Sequence, residues 1–336
     1  MERESLQSPG VVAKQLLENK NIINDLGRRF INNRPAFVVT CARGSSDHAA
    51  AYAKYLFEIN LGIPVLSLGP SIGSVYCRKM SLHNSLFLVV SQSGQSPDLV
   101  ACSRWAKENG AFVVALVNEN NTPLHDIADQ IIPIHAGREQ SVAATKSYIG
   151  SLAAMAQLVA VLSGDQEFAE MITKLPEDLE KNCCSDWSRA VTSLADANDL
   201  LVVGRGVAHG ITLEAALKFK ETSAIHAEGF SSAELMHGPM ALICRDYPVL
   251  VFSQDDETSA GTRQLVQTLR DKGARAFIVQ QEKNEIDELV VVGETHSHLA
   301  PIMMIQRFYL LVNEIAILRG YDPDHPRHLQ KVTETK

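Results

Sequence analysis

Positive charge is in deficit along this chain. Its 31 Lys and Arg residues face 39 Asp and Glu, a net charge of −8, so no cationic face of the kind that holds nucleic acid or an anionic membrane is expected. No run of five or more like charges occurs, which excludes a solvated charged tail. The opening MERESLQSPG lacks the apolar core of a secretory signal. Long apolar runs are scarce too. The best of them, Ser147–Gly164, is broken by Gln157, two glycines and three serines. A bilayer span needs about 20 clean apolar residues, so a buried core helix is expected there. The six cysteines (Cys41, Cys77, Cys102, Cys183, Cys184, Cys244) show neither C-x-x-C nor Cys/His ligand spacing. They are expected to be reduced thiols of a soluble, cytoplasmic protein, and no metal site is expected. The Walker lysine motif is missing, which argues against a nucleoside triphosphate. The glycines of 204–210 run G-x-G-x-x-x-G, with His209 where a dinucleotide fingerprint requires its third glycine.

What the chain does contain is alternation. With 336 residues, 46% of them hydrophobic, it can bury one large core or two ordinary ones. Strand signals at AFVVTCA (36–42), IPVLSLG, SLFLVVSQS, AFVVALVN (111–118) and QIIPIHAG (130–137) alternate with helices, and a long helix over 141–163 closes the series. The continuous Val, Leu and Ile runs predict strands covered on both faces, hence a mostly parallel sheet. A polar helical stretch at 166–193 leads to a second series: NDLLVVGRG, a helix at 207–222, YPVLVFSQ, a helix at 258–273, ARAFIVQQ, ELVVVG and a final helix at 298–319.

A shift of 162 residues, constant to within one, lays the second series on the first. Gly44 falls on Gly206 and Ser91-Gln92 on Ser253-Gln254, with KENGAFVVALV over RDKGARAFIVQ. The fold expected is α/β: two tandem, doubly wound parallel-sheet, flavodoxin-like subdomains related by internal duplication. The boundaries expected are 1–165 for the first, 166–195 for a helical linker, 196–320 for the second and 321–336 for a tail.

The two copies differ at one turn. SQSGQSPD (Ser91 to Asp98) joins a buried strand to a helix, where ligands gather in open α/β sheets. Gly94 permits close backbone approach or a positive φ. Ser96 suits the N-cap with Pro97 at the first helical position, and the helix start offers free N–H groups and partial positive charge. Ser91, Ser93 and Ser96 add hydroxyls. Ser45 and Ser46 in ARGSSDHAAAYAKYLF form a second such junction. Serines at one junction alone would be read as helix caps. Two junctions in one half point to a phosphate, because the later copy reads Ser253-Gln254-Asp255-Asp256-Glu257-Thr258, with carboxylates that repel an anion.

SQSGQSPD, AGREQSVAATKSY (136–148), EAALKFKETSAIHAEGFSSAELMHGPMALI (214–243) and the closing DPDHPRHLQKVTET together resemble the sugar isomerase (SIS) domain pair. Within that family they resemble the isomerase half of the glutamine–fructose-6-phosphate amidotransferases. The likeness spans nearly the whole chain, and the long central motif is highly specific. It implies that Ser45, Ser46, Ser91, Gln92, Ser93 and Ser96 hold a sugar phosphate, and that Val142 and Ala144 touch the sugar, although the family often has Ser at the latter position. It further implies that Glu214, Lys218 and Glu221 are the acidic, basic and proton-transferring positions of a catalytic helix. His237 matches a ring-opening histidine usually delivered by the neighbouring subunit, which implies a homodimer with shared active sites. Lys331 matches a lysine that contacts or condenses with the ketose carbonyl. The chemistry implied needs no cofactor and no metal.

The residues have a reading of their own. Glu214, Lys218 and Glu221 stand at i, i+4 and i+7 and share one helix face. Such a stripe is ordinarily exposed and salt-bridged, but this helix opens from a strand end where a site belongs. Moving a proton between C1 and C2 of an open-chain sugar needs one carboxylate that reaches both carbons, with a cation to stabilise enolate-like charge. The His-Gly-Pro at 237–239 ends a helical stretch in a turn, and imidazole suits proton exchange with a ring oxygen. His226 is read as structural. Lys331 lies in a tail stiffened by Pro323 and Pro326.

The amidotransferases join this half to a glutaminase. This chain enters the SIS pattern within about forty residues, so no glutaminase is expected. The activity expected is isomerising deamination of glucosamine 6-phosphate to fructose 6-phosphate and ammonia. Alternatives are a deaminase or deglycase for another amino sugar phosphate, an aldose–ketose isomerase, or a non-catalytic phosphosugar-binding regulator.

Overall fold

A computed structural model of the chain describes residues 1–281, 288–293 and 295–331; the last residues of the expected tail, 332–336, lie outside them. The first half runs α1 (Glu2–Glu18), α2 (Lys20–Asn32), β1 (Phe37–Cys41), α3 (Ser45–Leu61), β2 (Val65–Ser67), a π-helical turn at Ile72–Tyr76, β3 (Ser85–Ser91), α4 (Pro97–Glu108), β4 (Phe112–Val117), α5 (Pro123–Ile127), β5 (Gln130–Pro133) and α6 (Lys146–Ser163). The second runs α7 (Gln166–Asn182), α8 (Ser188–Leu194), β6 (Asp199–Gly204), α9 (His209–Ser223), β7 (His226–Ser231), α10 (Ser232–Leu235), β8 (Pro248–Phe252), α11 (Ser259–Asp271), β9 (Arg275–Gln280), β10 (Glu288–Val290) and α12 (Ala300–Leu318).

The chain divides into two compact units. One comprises Gly10–Glu139 and Lys146–Thr173, with Gln330 and Lys331; the other comprises Met1–Pro9, Gln140–Thr145 and Lys174–Leu329. In the first, β1 to β5 form a five-stranded sheet in the order β2-β1-β3-β4-β5, with every pairing parallel. All seven residues of β3 are buried, as its unbroken apolar run requires of a strand covered on both faces. One layer packs Val39, Phe87, Val89, Val113 and Ala115 against Leu99, Cys102, Trp105 and Ala106 of α4. In α6, every residue from Lys146 to Ala160 is buried, so the apolar segment at 147–164 is a core helix.

The second unit repeats the plan. Its sheet runs β10-β9-β8-β6-β7, again parallel throughout. Numbered from its own first strand this is the order of the first sheet, and both are the flavodoxin-like arrangement. Leu201, Val203, Val249, Val251 and Ile278 pack against Leu265, Val266 and Leu269 of α11, the same layer and the same helix as in the first copy.

Four details differ from the sequence reading. The 162-residue shift holds through β3 and β8 but grows to 163 at β4 and β9, because α11 has 13 residues where α4 has 12. Residues 140–145 are a loop, so the helix expected from 141 begins at Lys146. The polar stretch at 166–193 is two helices separated at 183–187. Strand β7, HAEGFS, was not anticipated; it sits at the sheet edge and only Ala227 in it is buried.

In each sheet the chain winds one way from the first strand and then the other, so the switch points lie between the carboxyl ends of β1 and β3 and of β6 and β8. These are the ligand-binding places of open α/β sheets.

A buried amide network ties the second unit together. Gln306 of α12 accepts from Asn182 Nδ2 at 3.0 Å and donates to Leu179 O at 2.9 Å and Ser8 Oγ at 3.2 Å. Replacing it removes partners from groups that no water can reach. Gln306→Leu is expected to lower stability by about 2–4 kcal/mol in chemical denaturation, and a loss below about 0.5 kcal/mol would show that the network contributes little.

Candidate functional site

The turn after β3 is closed by its own hydroxyls. Ser91 Oγ accepts the Gly94 N–H at 3.1 Å, and Ser93 Oγ accepts the Gln95 N–H at 3.3 Å. Gly94 has φ +63, and a Cβ there would stand 2.2 Å from Thr122 Oγ1 and 2.8 Å from Val117 Cγ1. Only glycine fits. Ser96 is the N-cap of α4 with Pro97 behind it, yet its hydroxyl makes no capping bond. The helix start is thus not consumed by the side chain that ordinarily closes it. Gln92 donates its side-chain amide to Glu119 Oε1 at 3.2 Å, and its backbone carbonyl accepts the Asn118 and Glu119 N–H groups.

The neighbouring turn after β1 belongs to the same switch point. Gly44 is the N-cap of α3 at φ +52, and Ser45 and Ser46 open the helix. Two carboxylates flank these serines, Asp47 in the first turn of α3 and Asp98 in the first turn of α4. Asp98 is buried and holds the Arg43 guanidinium, Nε to Oδ2, at 2.8 Å. The sequence reading singled out neither Arg43 nor Asp98. They stand 55 residues apart, and only the pairing of β1 with β3 brings them together.

The later copy of the turn is filled by its own carboxylate. Asp256 Oδ1 accepts from Thr258 N at 2.8 Å and from Thr258 Oγ1 at 2.5 Å, while its Oδ2 takes the Gln254 amide at 2.7 Å. The donors that could grip an external anion point inward to Asp256.

In the second unit, α9 carries the charged stripe, and it is not exposed. Glu214 and Lys218 are fully buried. Lys218 Nζ lies 3.2 Å from Glu214 Oε1 and 2.5 Å from Glu221 Oε2, and the Tyr309 hydroxyl donates to Glu214 Oε1 at 3.0 Å. Burial alone would push the ammonium down; the two carboxylates outweigh it and hold Lys218 above the usual lysine range. Glu221, with 20% of its side chain exposed, is the member that a solute can reach. Ile211, Ala215, Ala216 and Phe219 bury the rest of the helix, and Phe219 meets Phe308 edge-on at 5.1 Å.

The remaining expected residues lie on loops. His237 is exposed in the turn after α10, which Ser231 caps through the Ala233 N–H. Val142 and Ala144 sit on loop 140–145. Within the second unit, Glu4 Oε1 accepts the Gln140 and Ser141 N–H groups at 2.5 and 3.3 Å, and Val142 N donates to Asp324 O at 3.1 Å. Lys331, in the first unit, forms a 2.6 Å ion pair with buried Glu139. Ser147 donates to Glu139 from its backbone at 3.0 Å and its hydroxyl at 2.7 Å. Burial works against the Glu139 carboxylate, but Lys331 and Ser147 prevail and keep it below the usual glutamate range. Glu4 and Glu139 were also missed, since their partners are set by chain folding rather than by local spacing. Ser45, Ser46, Ser91, Gln92, Ser93, Ser96 and Lys331 belong to one unit; Val142, Ala144, Glu214, Lys218, Glu221 and His237 belong to the other.

Comparison with known proteins follows the same division. The family model for the SIS domain matches residues 34–161 and again 193–317. The glutamine–fructose-6-phosphate aminotransferase [isomerizing] of Thermotoga maritima is 32% identical over 351 residues, covering 95% of this chain and 57% of that protein. Its counterpart from Thermococcus kodakarensis is 31% identical over 347 residues, covering 98% and 57%. The chain therefore spans little more than half the length of these curated relatives. Among solved structures, a Silicibacter pomeroyi protein provisionally designated a phosphosugar isomerase superposes with a TM-score of 0.90 at 38% identity, covering 96% of this chain and 99% of that one. The C-terminal domain of glucosamine-fructose-6-phosphate aminotransferase from Francisella tularensis gives 0.84 at 26%, covering 96% and 97%. With the family model falling on both halves and the likeness running almost end to end, the chain belongs to the SIS domain family.

Proposed function

We propose that this protein acts on a phosphorylated sugar at C1 and C2, and that its reaction is the isomerising deamination of glucosamine 6-phosphate. The observation that carries the reading is the buried array on α9, in which a fully buried ammonium is flanked by two carboxylates and only Glu221 is open to solute. A binding protein gains nothing from burying that charge, whereas an enzyme that moves a proton between adjacent carbons needs it. The serine turns after β1 and β3 supply a seat for the phosphate. The likeness to aminotransferase sugar domains, whose names join fructose 6-phosphate to an amine, supports an amino sugar.

In this reading His237, from a second copy of the chain in a homodimer, opens the pyranose ring by returning a proton to the ring oxygen. Glu221 takes the proton from C2 of the open aldose. Lys218, held by Glu214, stabilises the negative charge that develops on O1. Glu221 then returns the proton to C1 while O1 takes a proton from the nitrogen, which leaves a hydroxyl at C1 and an imine at C2. Water adds to the imine carbon, the C–N bond breaks, and ammonia departs as fructose 6-phosphate forms. Val142 and Ala144 line the sugar, and Lys331 attends the C2 nitrogen. With water in excess, the reaction runs toward the ketose phosphate.

A second reading rests on the Silicibacter relative, whose designation names isomerisation alone. The two separate cleanly in one assay: purified chain with hexosamine 6-phosphates and with the corresponding hexose 6-phosphates, ammonia and ketose phosphate being quantified independently. Equimolar ammonia and fructose 6-phosphate from glucosamine 6-phosphate is the expected result; ketose from the neutral aldose with no ammonia selects the isomerase. Glu221→Gln is expected to lower kcat by at least about 10²-fold while substrate affinity stays within about threefold, a change too small to count as a lost interaction. Turnover unchanged by that substitution would remove Glu221 from the proton transfer.

A further inference from the structure

The donors assigned to the anion seat so far are hydroxyls and helix starts, and two carboxylates, Asp47 and Asp98, lie beside them. A phosphate monoester brings up to two negative charges at neutral pH. Set near Asp98 and Asp47 with no cation, it would be repelled by the elements that bind it. Arg43 is the cation the turn needs. It stands between Cys41, the last residue of β1, and Ser45, the first of α3. It therefore rises at the switch point, with the serine turn after β3 on the adjacent strand. Its Nε is taken by Asp98 at 2.8 Å, and Asp98 is fully buried while 51% of the Arg43 side chain is exposed. The carboxylate engages the guanidinium through Nε, and half of the arginine side chain remains exposed. A guanidinium is a planar fork whose remaining donors match two oxygens of a phosphate.

The internal duplication supplies a comparison. Arg43 has a counterpart in Arg205, but Asp98 falls on Ala260, and among the described residues no ion pair reaches Arg205. There the turn is filled by Asp256. The arginine occurs in both copies, whereas the carboxylate that holds it occurs only in the copy whose serine turn is open.

We propose that Arg43 binds the substrate phosphate directly and that Asp98 is the positioning residue that aims it. The proposal rests on the phosphosugar reading and names the charged contact that the serines lack. Asp98 reaches the phosphate through Arg43; its other oxygen accepts the Leu99 N–H in the first turn of α4 at 2.8 Å. His48, half-buried one turn into α3, Asp47, and the thiols of Cys41 and Cys102, which feel the charges of Asp98 and Arg43, are other ionisable groups near this helix start.

The test uses the full chain and an unreactive probe, glucitol 6-phosphate, which has no carbonyl to isomerise, with glucitol as its uncharged control. Both are titrated calorimetrically at two salt concentrations into wild type, Arg43→Lys, Arg43→Ala, Asp98→Asn and the double variant Arg43→Ala/Asp98→Asn. Arg43→Ala is expected to weaken the phosphorylated probe by about 10- to 100-fold, the range of a charge-assisted hydrogen bond. It should flatten the salt dependence and leave glucitol unaffected. Arg43→Lys should recover part of the loss, and Asp98→Asn should fall between wild type and Arg43→Ala. Equal affinity of wild type and Arg43→Ala, at equal salt dependence, overturns the proposal. Full rescue in the double variant also overturns it, since Arg43 would then only have neutralised Asp98. If Arg43→Ala does not fold, Arg43→Lys and Asp98→Asn decide: wild-type affinity in both refutes the assignment. Should wild type bind glucitol 6-phosphate no better than glucitol, the phosphate seat itself falls and takes the proposal with it. A phosphate preference that survives Arg43→Ala sinks the proposal alone.

Discussion

A lysine with no access to water has to be answered on the spot. Taking an ammonium and a carboxylate out of solvent costs several kcal/mol per ion, and Lys218 is fully buried. Its charge persists because Glu214 and Glu221 lie within 3.2 and 2.5 Å. Much of the second unit serves that requirement. Tyr309 of α12 satisfies an oxygen of Glu214, and Phe219 with Phe308 closes the helix against α12. Glu221, at the outer end of the stripe, is left to face solute with a cation at its back. The array is a poor device for stability and a good one for stabilising charge that appears only during reaction.

The two copies of the fold show how the same turn can be braced by hydroxyls in one case and filled by a carboxylate in the other. Both retain a strand end, a helix start and a Ser-Gln pair. In the later copy Asp256 satisfies its own Gln254 and Thr258, so the helix start is quenched from within. In the earlier copy the serines brace the turn through Gly94 and Gln95, Ser96 makes no capping bond, and Asp98 takes the Leu99 N–H. The difference is set by a few side chains on backbones of the same sheet order.

The architecture was legible because fully covered parallel strands read as unbroken apolar runs, and β1, β3, β4, β6, β8 and β9 all do. β7 escaped for the converse reason: an edge strand with a single buried residue has no apolar run to read. Loop 140–145 was absorbed into a helix because its small and polar residues do not interrupt helical periodicity. Of the candidate site, the α9 stripe could be found from spacing, but its burial could not. Whether i, i+4 and i+7 face water depends on α12, some 90 residues downstream. Arg43 with Asp98, and Glu139 with Lys331, are pairs whose members lie 55 and 192 residues apart. No local pattern announces such pairs.

The single residue by which α11 outgrows α4 falls at the end of each repeat remote from ligand. Ahead of it, the register of the first and third strands and the starts of α4 and α11 keep the 162-residue spacing; behind it, β9 re-enters its sheet one position late. Insertions at the amino-terminal rim of such a sheet merely lengthen a helix by a third of a turn, whereas one at the opposite rim would rotate every group that addresses a substrate. The two rims of the duplicated sheet have therefore drifted under different tolerances, and length variation among further copies of this unit should collect on the same quiet side.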